Sequence, residues 1–371
     1  MEKPSIYTIA EMAEVSTATV SRALSGKGGI RPDTRQRILD VAAQLNYRPS
    51  QLARRLPASD ITIGVLYSGQ QLEEFGLEIF RGAYDAGQEL ADYRVKIRLI
   101  YMPDMPSVYS LEFSDHYMEC LTNILDSGVN GLVNFPFPDN PRQRDLLTEK
   151  LRRNNVALAQ LIGGRLVQGE NVFSYHSDTY TAGALAAEIL WNALGEHGKV
   201  CIFTTLKESP IHAEGIRGFR DALEKYPLDL SAIYENQDDT HMAYYTADAM
   251  LRNQPETRGV FVGSANSRRV LQRLCEEEHP EKFCVVASDL YPEMRQYIRR
   301  RLVRATIVQS QYTQSYETVK TLAHYLITNE APVPNMRRVR PQIVMQGNMD
   351  QHLIPSDDPR LQAVRAAMEV Y

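Results

Sequence analysis

Cysteine is scarce in this chain: four residues in 371, at Cys120, Cys201, Cys275 and Cys284. No two stand at the C-x-x-C spacing. That argues against a disulfide framework or a zinc site and for thiols in a reducing compartment. Long apolar runs are missing as well. No stretch is long enough to cross a bilayer, and the first residues hold no apolar signal core. The expected setting is the cytoplasm, with no membrane partner. Catalytic signatures are equally sparse: there is no G-x-S-x-G, no P-loop, no H-E-x-x-H and no G-x-G-x-x-G. His176, His212 and His241 are scattered and read as surface or capping residues. An enzyme is not expected, nor a cofactor or metal.

What the chain does have is an uneven charge. Residues 1–56 carry nine Lys and Arg against five Asp and Glu, while the whole chain is at −5. A basic head of +4 on an acidic body of −9 suits phosphate contact at one end only. The length points to two or three domains with sizeable cores.

The stretch Ser16–Leu24, S-T-A-T-V-S-R-A-L, reads as a short helix. Ser16 is a good N-cap, since its hydroxyl can accept from a free backbone N–H. Val20, Ala23 and Leu24 form one apolar face, and Thr17, Ala18, Thr19, Ser21 and Arg22 the other. Upstream, Ile6, Ile9, Ala10 and Ala13 give a second apolar face with Ser5 as its cap. Two such helices joined near Glu14-Val15 make a helix-turn-helix, whose second helix meets base edges in the major groove. Amphipathic helix pairs also occur in proteins that never meet DNA, so the segments that follow carry the decision. Pro32–Leu45 predicts a third helix, with Pro32 at its first position and Ile38, Leu39, Val41, Ala42 and Leu45 as its apolar stripe. Asn46-Tyr47-Arg48-Pro49 ends it. Ser50–Leu56 is one further helical stretch, too short to stand alone in water. A linker follows over Pro57–Asp60.

From Ile61 the pattern becomes strand–helix alternation, with strand segments expected at Ile61–Tyr67, Val95–Tyr101, Gly131–Phe135, Val156–Leu161, Lys199–Phe203, Gly259–Val262, Phe283–Ala287 and Thr306–Val308, which predicts parallel sheets with helices on both faces. One sheet would need too many strands, so two α/β lobes are expected. The Pro-rich tail after Pro332 contains Ile343-Val344-Met345 and reads as a crossing segment with a polar end.

These residues resemble the LacI/GalR family of transcription regulators. The likeness rests on Ile9–Gly26, Arg31–Leu39 and Leu45–Leu56, above all on V-S-x-A-T-V-S-R followed by L-x-Y-x-P. The body, roughly Ile61–Leu326, is similar more loosely to the periplasmic sugar-binding fold. The resemblance implies an α/β protein with four parts. They are a three-helix helix-turn-helix headpiece (1–49), a hinge helix and linker (50–60), a two-lobed core of doubly wound parallel sheets (61–340) and a C-terminal crossing segment and tail (341–371). It implies that Thr17, Ala18 and Arg22 read bases, Arg being the natural bidentate partner of guanine. Ser16, Thr19, Ser21 and Tyr47 would hold the DNA backbone, and Arg54 would also bind DNA. Leu56 would wedge into the minor groove. Implied partners are pseudo-palindromic double-stranded operator DNA, a sugar or polyol effector and a second copy of the chain. Implied function is repression of carbohydrate-utilisation genes in a bacterial cytoplasm, at the nucleoid.

The resemblance also marks effector residues at the carboxyl ends of strands. Phe75 could stack on a sugar face, the alternative being a core position. Asn266 follows a strand in G-S-A-N, Asp289 stands in V-V-A-S-D-L where a carboxylate takes sugar hydroxyls, and Gln309 stands in A-T-I-V-Q. Asp178 matches a helix-capping motif. Three departures stand out. Glu14 occupies a turn position usually held by glycine, Glu73-Glu74 replaces the usual N-P lead into the aromatic pair, and Gly215 stands where a ligand-clamping Arg is common. An exported transport protein is the competing class; the basic head and the lack of a signal oppose it.

Overall fold

The computed structural model describes residues 6–24, 29–45, 59–69, 72–103, 105, 111–135, 141–162, 171–195, 198–264, 267–355 and 357–371. The head holds α1 (Ile6–Met12), α2 (Thr17–Leu24) and α3 (Pro32–Gln44). They close on Ile9, Ala13, Val20 and Ile38, none of which has exposed surface, with Ala10, Ala23 and Ala42 between them. Burying each large aliphatic side chain contributes about 1.5–3 kcal/mol. That holds together three helices too short to persist singly. Leu39 departs from the expected stripe and is 39 % exposed, because one residue turns it about 100° away from Ile38. The turn after α1 is a left-handed helix stop. The Val15 N–H donates to Ala10 O at 3.0 Å, the Glu14 N–H to Glu11 O at 3.2 Å, and Glu14 sits at φ 50°. This is the pair of bonds that closes a helix on a residue in the left-handed region.

In the first lobe run β1 (Ile61–Ser68), α4 (Glu74–Leu90), β2 (Val95–Met102), α5 (Leu111–Asp126), β3 (Gly131–Phe135), α6 (Pro141–Arg153), β4 (Ala157–Ile162) and β5 (Val172–Ser177). The second lobe has α7 (Thr179–Leu194), β6 (Lys199–Thr204), α8 (Pro210–Ala222), β7 (Asp229–Glu235), α9 (Thr240–Asn253), β8 (Thr257–Val262), α10 (Ser267–Cys275), β9 (Cys284–Ser288), α11 (Met294–Arg299) and β10 (Val303–Val308). After these come α12 (Gln311–Thr328), β11 (Met336–Val339), β12 (Gln342–Val344), α13 (Met349–His352), α14 (Pro359–Ala367) and β13 (Met368–Val370).

The first sheet runs β11-β5-β4-β3-β1-β2-β13 and the second β12-β10-β9-β8-β6-β7. Every pairing is parallel except β10 with β12. The two sheets therefore share one doubly wound order, with the switch point between β1 and β3 in the first and between β6 and β8 in the second. Each central strand is buried on both faces, as Ile63, Val65 and Leu66 of β1 are, each with no exposed surface. Strands β5 and β7 were not among the expected elements. They carry polar residues (V-F-S-Y-H-S and D-L-S-A-I-Y-E) near or at a sheet edge, where half-solvated positions dilute the apolar signal.

The chain passes between the lobes at Asp178, at Gln309-Ser310 and at Arg340-Pro341. It returns once more after α13. Helix α12 follows the last parallel strand of the second lobe, yet packs on α4 of the first. Contact is close because a Cβ at Gly82 would overlap the Tyr312 carbonyl. In the second lobe a Cβ at Gly183 would overlap the Gly215 carbonyl, so α7 and α8 touch backbone to backbone. The tail does not end as a polar segment. Leu361 and Val364 of α14 are buried, and β13 pairs with β2 through Met368–Leu99, Glu369–Ile100 and Val370–Tyr101. Glu369 accepts from two of the guanidinium nitrogens of Arg98, Nη2 at 2.6 Å and Nε at 2.9 Å. A polar tail composition concealed a strand that covers a sheet edge.

Candidate functional site

Two surfaces gather the expected residues. In the head, the Thr19 N–H donates to Ser16 Oγ at 3.3 Å, and the two hydroxyls lie 2.9 Å apart. Ser16 is thus the cap of α2, as its position before the apolar run implies. Thr17, Thr19 and Ser21 are half-buried and Arg22 is exposed, all on the short helix that also buries Val20 and Ala23. The Ala18 backbone lies within α2. Tyr47, Arg54, Leu56 and Asn266 lie outside the described residues.

The second surface is the cleft where the carboxyl ends of the two sheets face each other. From the first lobe come three rings. Tyr67 lies 6.0 Å from Phe135 and 6.5 Å from Phe75, and Phe75 lies 5.4 Å from Phe135. Phe75 is half-buried, in the first turn of α4; it belongs to this aromatic group and also packs on the core. From the second lobe comes Asp289, just past β9. Its Oδ1 accepts from Gln311 Nε2 at 2.7 Å, and its two oxygens lie 3.3 and 3.4 Å from Gln309 Nε2. The chain bends sharply at both, with Asp289 at φ 63° and Ser310 at φ 58°.

Gln309 then ties the cleft to the crossings. Ser177 Oγ donates to Gln309 Oε1 at 2.9 Å, while Gln314 Nε2 donates to Ser177 Oγ at 2.9 Å and to the Gln309 carbonyl at 2.6 Å. Asp178 caps α7 by accepting from the Thr181 N–H at 3.1 Å and hydroxyl at 2.7 Å. Its own N–H donates to Val339 O at 3.1 Å. Asp289 and the crossings at Ser177-Asp178 and Gln309-Ser310 therefore share one hydrogen-bond network, and the third crossing is tied to the first by the separate Asp178–Val339 bond. Asp289 and Gln309, expected separately, are brought together; Phe75 stands on the opposite wall.

The sequence reading missed several charged members of the cleft. Glu73, at the N-terminus of α4, faces Arg268 of α10 at 3.2 Å; Arg268 also holds Glu74 at 3.3 Å and Glu293 at 3.0 Å and lies 4.4 Å above the Tyr291 ring. This ion cluster bridges the lobes. Asp238 follows β7, where Gln237 and Asp238 are both left-handed, at φ 50° and 61°. Two consecutive non-glycine residues in that region hold strain at the rim. Burial and the charge of Glu73 push the Asp238 carboxyl up. Burial pushes Asp289 up to about 6, against its glutamine partners and with Glu73 adding to the rise. Tyr67 is raised by burial first and then by Glu73, Asp238 and Asp289 among its neighbours. The Glu73-Glu74 departure was a visible signal for this; Asp238 was hidden because its strand was.

Gly215 explains the missing clamp. Its backbone is pressed against Gly183, and it lines a cavity of about 60 Å³ with Thr204, His212, Ser288 and Gln309. His212 is therefore neither a surface nor a capping residue. Loss of solvent pushes it down to about 4, so it is neutral near pH 7. His176 sits half-buried in β5 with its Nε2 unpartnered. Among the described residues no group of His, Cys, Asp and Glu could hold a metal, and no helix is long and apolar enough to cross a membrane.

Comparison with known proteins agrees with this architecture. Residues 120–330 match the Periplasmic binding protein domain family, and residues 5–50 match the family Bacterial regulatory proteins, lacI family. The chain is 25% identical over 262 residues to catabolite control protein A of Priestia megaterium, covering 70% of this chain and 73% of that one. It is 28% identical over 262 residues to the ribose operon repressor of Bacillus subtilis, covering 70% and 72%. The fold is similar to that of GanP, a glucose-galactose binding protein from Geobacillus stearothermophilus, with TM-score 0.68 at 18% identity over 78% of this chain and 99% of that chain. With a regulatory headpiece ahead of a two-lobed binding core, the chain belongs to the lacI family of bacterial regulatory proteins and is a DNA-binding transcriptional regulator.

Proposed function

We propose that the protein is a repressor of carbohydrate-utilisation genes whose grip on DNA is set by a small hydroxylated effector between the lobes. The observation that carries this is the network joining Asp289 to Gln309, Gln311, Gln314 and Ser177. A ligand on Asp289 engages the residues at which the chain crosses, so it favours one lobe closure over another. The coupling to DNA equals the ligand's differential affinity for the two closures. On this reading two copies pair, and their heads meet a pseudo-palindromic duplex. Thr17, Ala18 and Arg22 select bases; Ser16, Thr19, Ser21, Tyr47 and Arg54 position the backbone; Leu56 wedges the central step. Phe75, Asn266, Asp289 and Gln309 hold the effector. The site of action is the bacterial cytoplasm, at the nucleoid, and the protein performs no catalysis.

The test is selection of bound duplexes from a random pool, followed by titration of the selected site with the parent protein and Arg22→Ala. The variant is expected to lose about 1–3 kcal/mol and to relax at one base pair. Equal weakening on every sequence would remove the base-reading role. Effector screening by melting temperature completes it, since a ligand that binds the native state raises that temperature.

A further inference from the structure

The cavity beside Asp289 has a floor and a rim of different character. Side chains alternate along a strand. Ile202, Phe261 and Ile307 therefore lie on one face of the second sheet, with Thr204, Gly263 and Gln309 two residues further along, at or just past the carboxyl ends of β6, β8 and β10. All six line the cavity. Ile202, Phe261 and Ile307 are buried, and with Ile216 of α8 they make an apolar floor. Polar side chains stand at the rim, among them Thr204, Ser288 and Gln309. The volume is about 60 Å³. That admits one or two carbon-sized groups but no ring, since a cavity of about 150 Å³ is what takes benzene.

Gly215 keeps this space open. A Cβ there would meet Thr179 O at 3.5 Å and Thr179 Cβ at 3.9 Å, both ordinary contacts, and Gly215 is not among the glycines at positive φ. Neither packing nor backbone conformation calls for glycine; the missing side chain is what leaves the room. The mouth lies at the effector carboxylate. Ser288 precedes Asp289 in the chain, and Gln309 Nε2 lies 3.3 and 3.4 Å from the Asp289 oxygens. Among the described residues that line the cavity none is Lys, Arg, Asp or Glu, and His212 is neutral near pH 7. An anionic group would lose its water there and gain no partner. A hydroxyl carried down to the floor would face only hydrocarbon, at the cost of an unmade hydrogen bond. A methyl group would bury its whole surface against Ile202, Ile216, Phe261 and Ile307.

Building on the effector site proposed above, we propose that the effector is a deoxy sugar or polyol that ends in a methyl group, and that the cavity beneath Gly215 is the pocket for that methyl. Its ring hydroxyls meet Asp289 and the polar rim, while the methyl branch reaches the floor. Gly215 is then a specificity-determining residue, because a side chain at this position would occupy the place of the methyl.

The test uses the full-length protein at pH 7.5 with matched pairs: 6-deoxy-D-glucose and D-glucose, D-fucose and D-galactose, L-fucose and L-galactose, L-rhamnose and L-mannose. Glucuronate and galacturonate serve as charged comparisons, with binding read by calorimetry and melting temperature. At least one 6-deoxy sugar is expected to bind about tenfold or more tighter than its hydroxymethyl parent, and neither uronate is expected to match it. Gly215→Leu fills the cavity and is expected to remove the preference. Gly215→Ala, whose methyl makes only ordinary contacts, is expected to reduce the preference with the melting transition intact, and it carries the test where the leucine variant does not fold. Parent sugars binding as tightly as every 6-deoxy sugar, or no 6-deoxy sugar binding at all, would overturn the methyl inference; the former, with affinity lost in Asp289→Asn, leaves the cleft as the effector site. A 6-deoxy sugar whose affinity survives in both Gly215→Leu and Asp289→Asn binds elsewhere, which would overturn the cleft assignment as well.

Discussion

In the first lobe the switch-point strand β1 ends in Tyr67 and Ser68, with Phe75 and Phe135 alongside. In the second lobe the corresponding strand β6 ends in Thr204, and the reach into the cleft comes from the loops after β7 and β9, which carry Asp238 and Asp289 at positive φ. Two sheets of the same strand order thus present unlike walls, one of rings on regular backbone and one of carboxylates on strained backbone. The strand order only brings the carboxyl ends together; what stands there is set by a few loop residues. The two walls are unlike but not wholly so, since Glu73 of the first lobe sets a carboxylate beside its rings.

The sharpest way to strain that comparison is through the helix pairs behind each wall. Gly183→Ala sets a methyl group into the Gly215 carbonyl, and Gly82→Ala sets one into the Tyr312 carbonyl. Each is expected to lower unfolding stability by about 3 kcal/mol, read by urea titration. Gly183→Ala is expected to be the worse, because its overlap is the deeper. The opposite ranking would mean that the second lobe yields more easily than the first.

A smaller effect is expected from Asp289→Asn. The folded carboxyl titrates near 6 against 3.8 for the free group, so its contribution to stability is present below pH 3.8 and lost as pH rises through about 6. The variant should match the parent below pH 4 and exceed it increasingly as pH rises through about 6. Melting curves across that range that stay parallel would show that the carboxylate is better solvated than its position implies. The smallest change in stability, under about 1 kcal/mol, is expected from Arg268→Ala, since its half-exposed ion pairs are screened. Its larger effect is on lobe spacing, which small-angle scattering should show widened; unchanged scattering would deny the bridge its role.

Most of the helix-rich organisation was legible from periodicity. Ser16 as a cap, Pro32 as a helix start, Asp178 as a cap and the strand over Gly131–Phe135 all lie where the residues imply. Glu14 in place of the usual glycine left open whether the turn stays left-handed or changes; it is left-handed, at φ 50°. The rest was hidden for physical reasons. β5 and β7 lie at or near edges and mix polar with apolar residues, and β13 is three residues long. The cleft was legible one loop at a time, at Phe75, Asp289 and Gln309. Which carboxylates share the space depends on two lobes meeting, and Glu73 and Asp238 stand 165 residues apart in the chain. No local pattern carries that.

The repeated crossing of the chain has a consequence for how the protein is made. The second lobe is nearly continuous, from Thr179 to Val308 with β12 added. The first lobe begins at Ile61 but needs α12, β11, α14 and β13, the last of which ends at Val370. During synthesis from the N-terminus, the lobe that emerges first is completed last, with the face that α12 covers left open until residue 328 has been added. A nascent chain of this protein exposes that apolar face on the ribosome for most of its synthesis, which makes the first lobe the natural client of a chaperone.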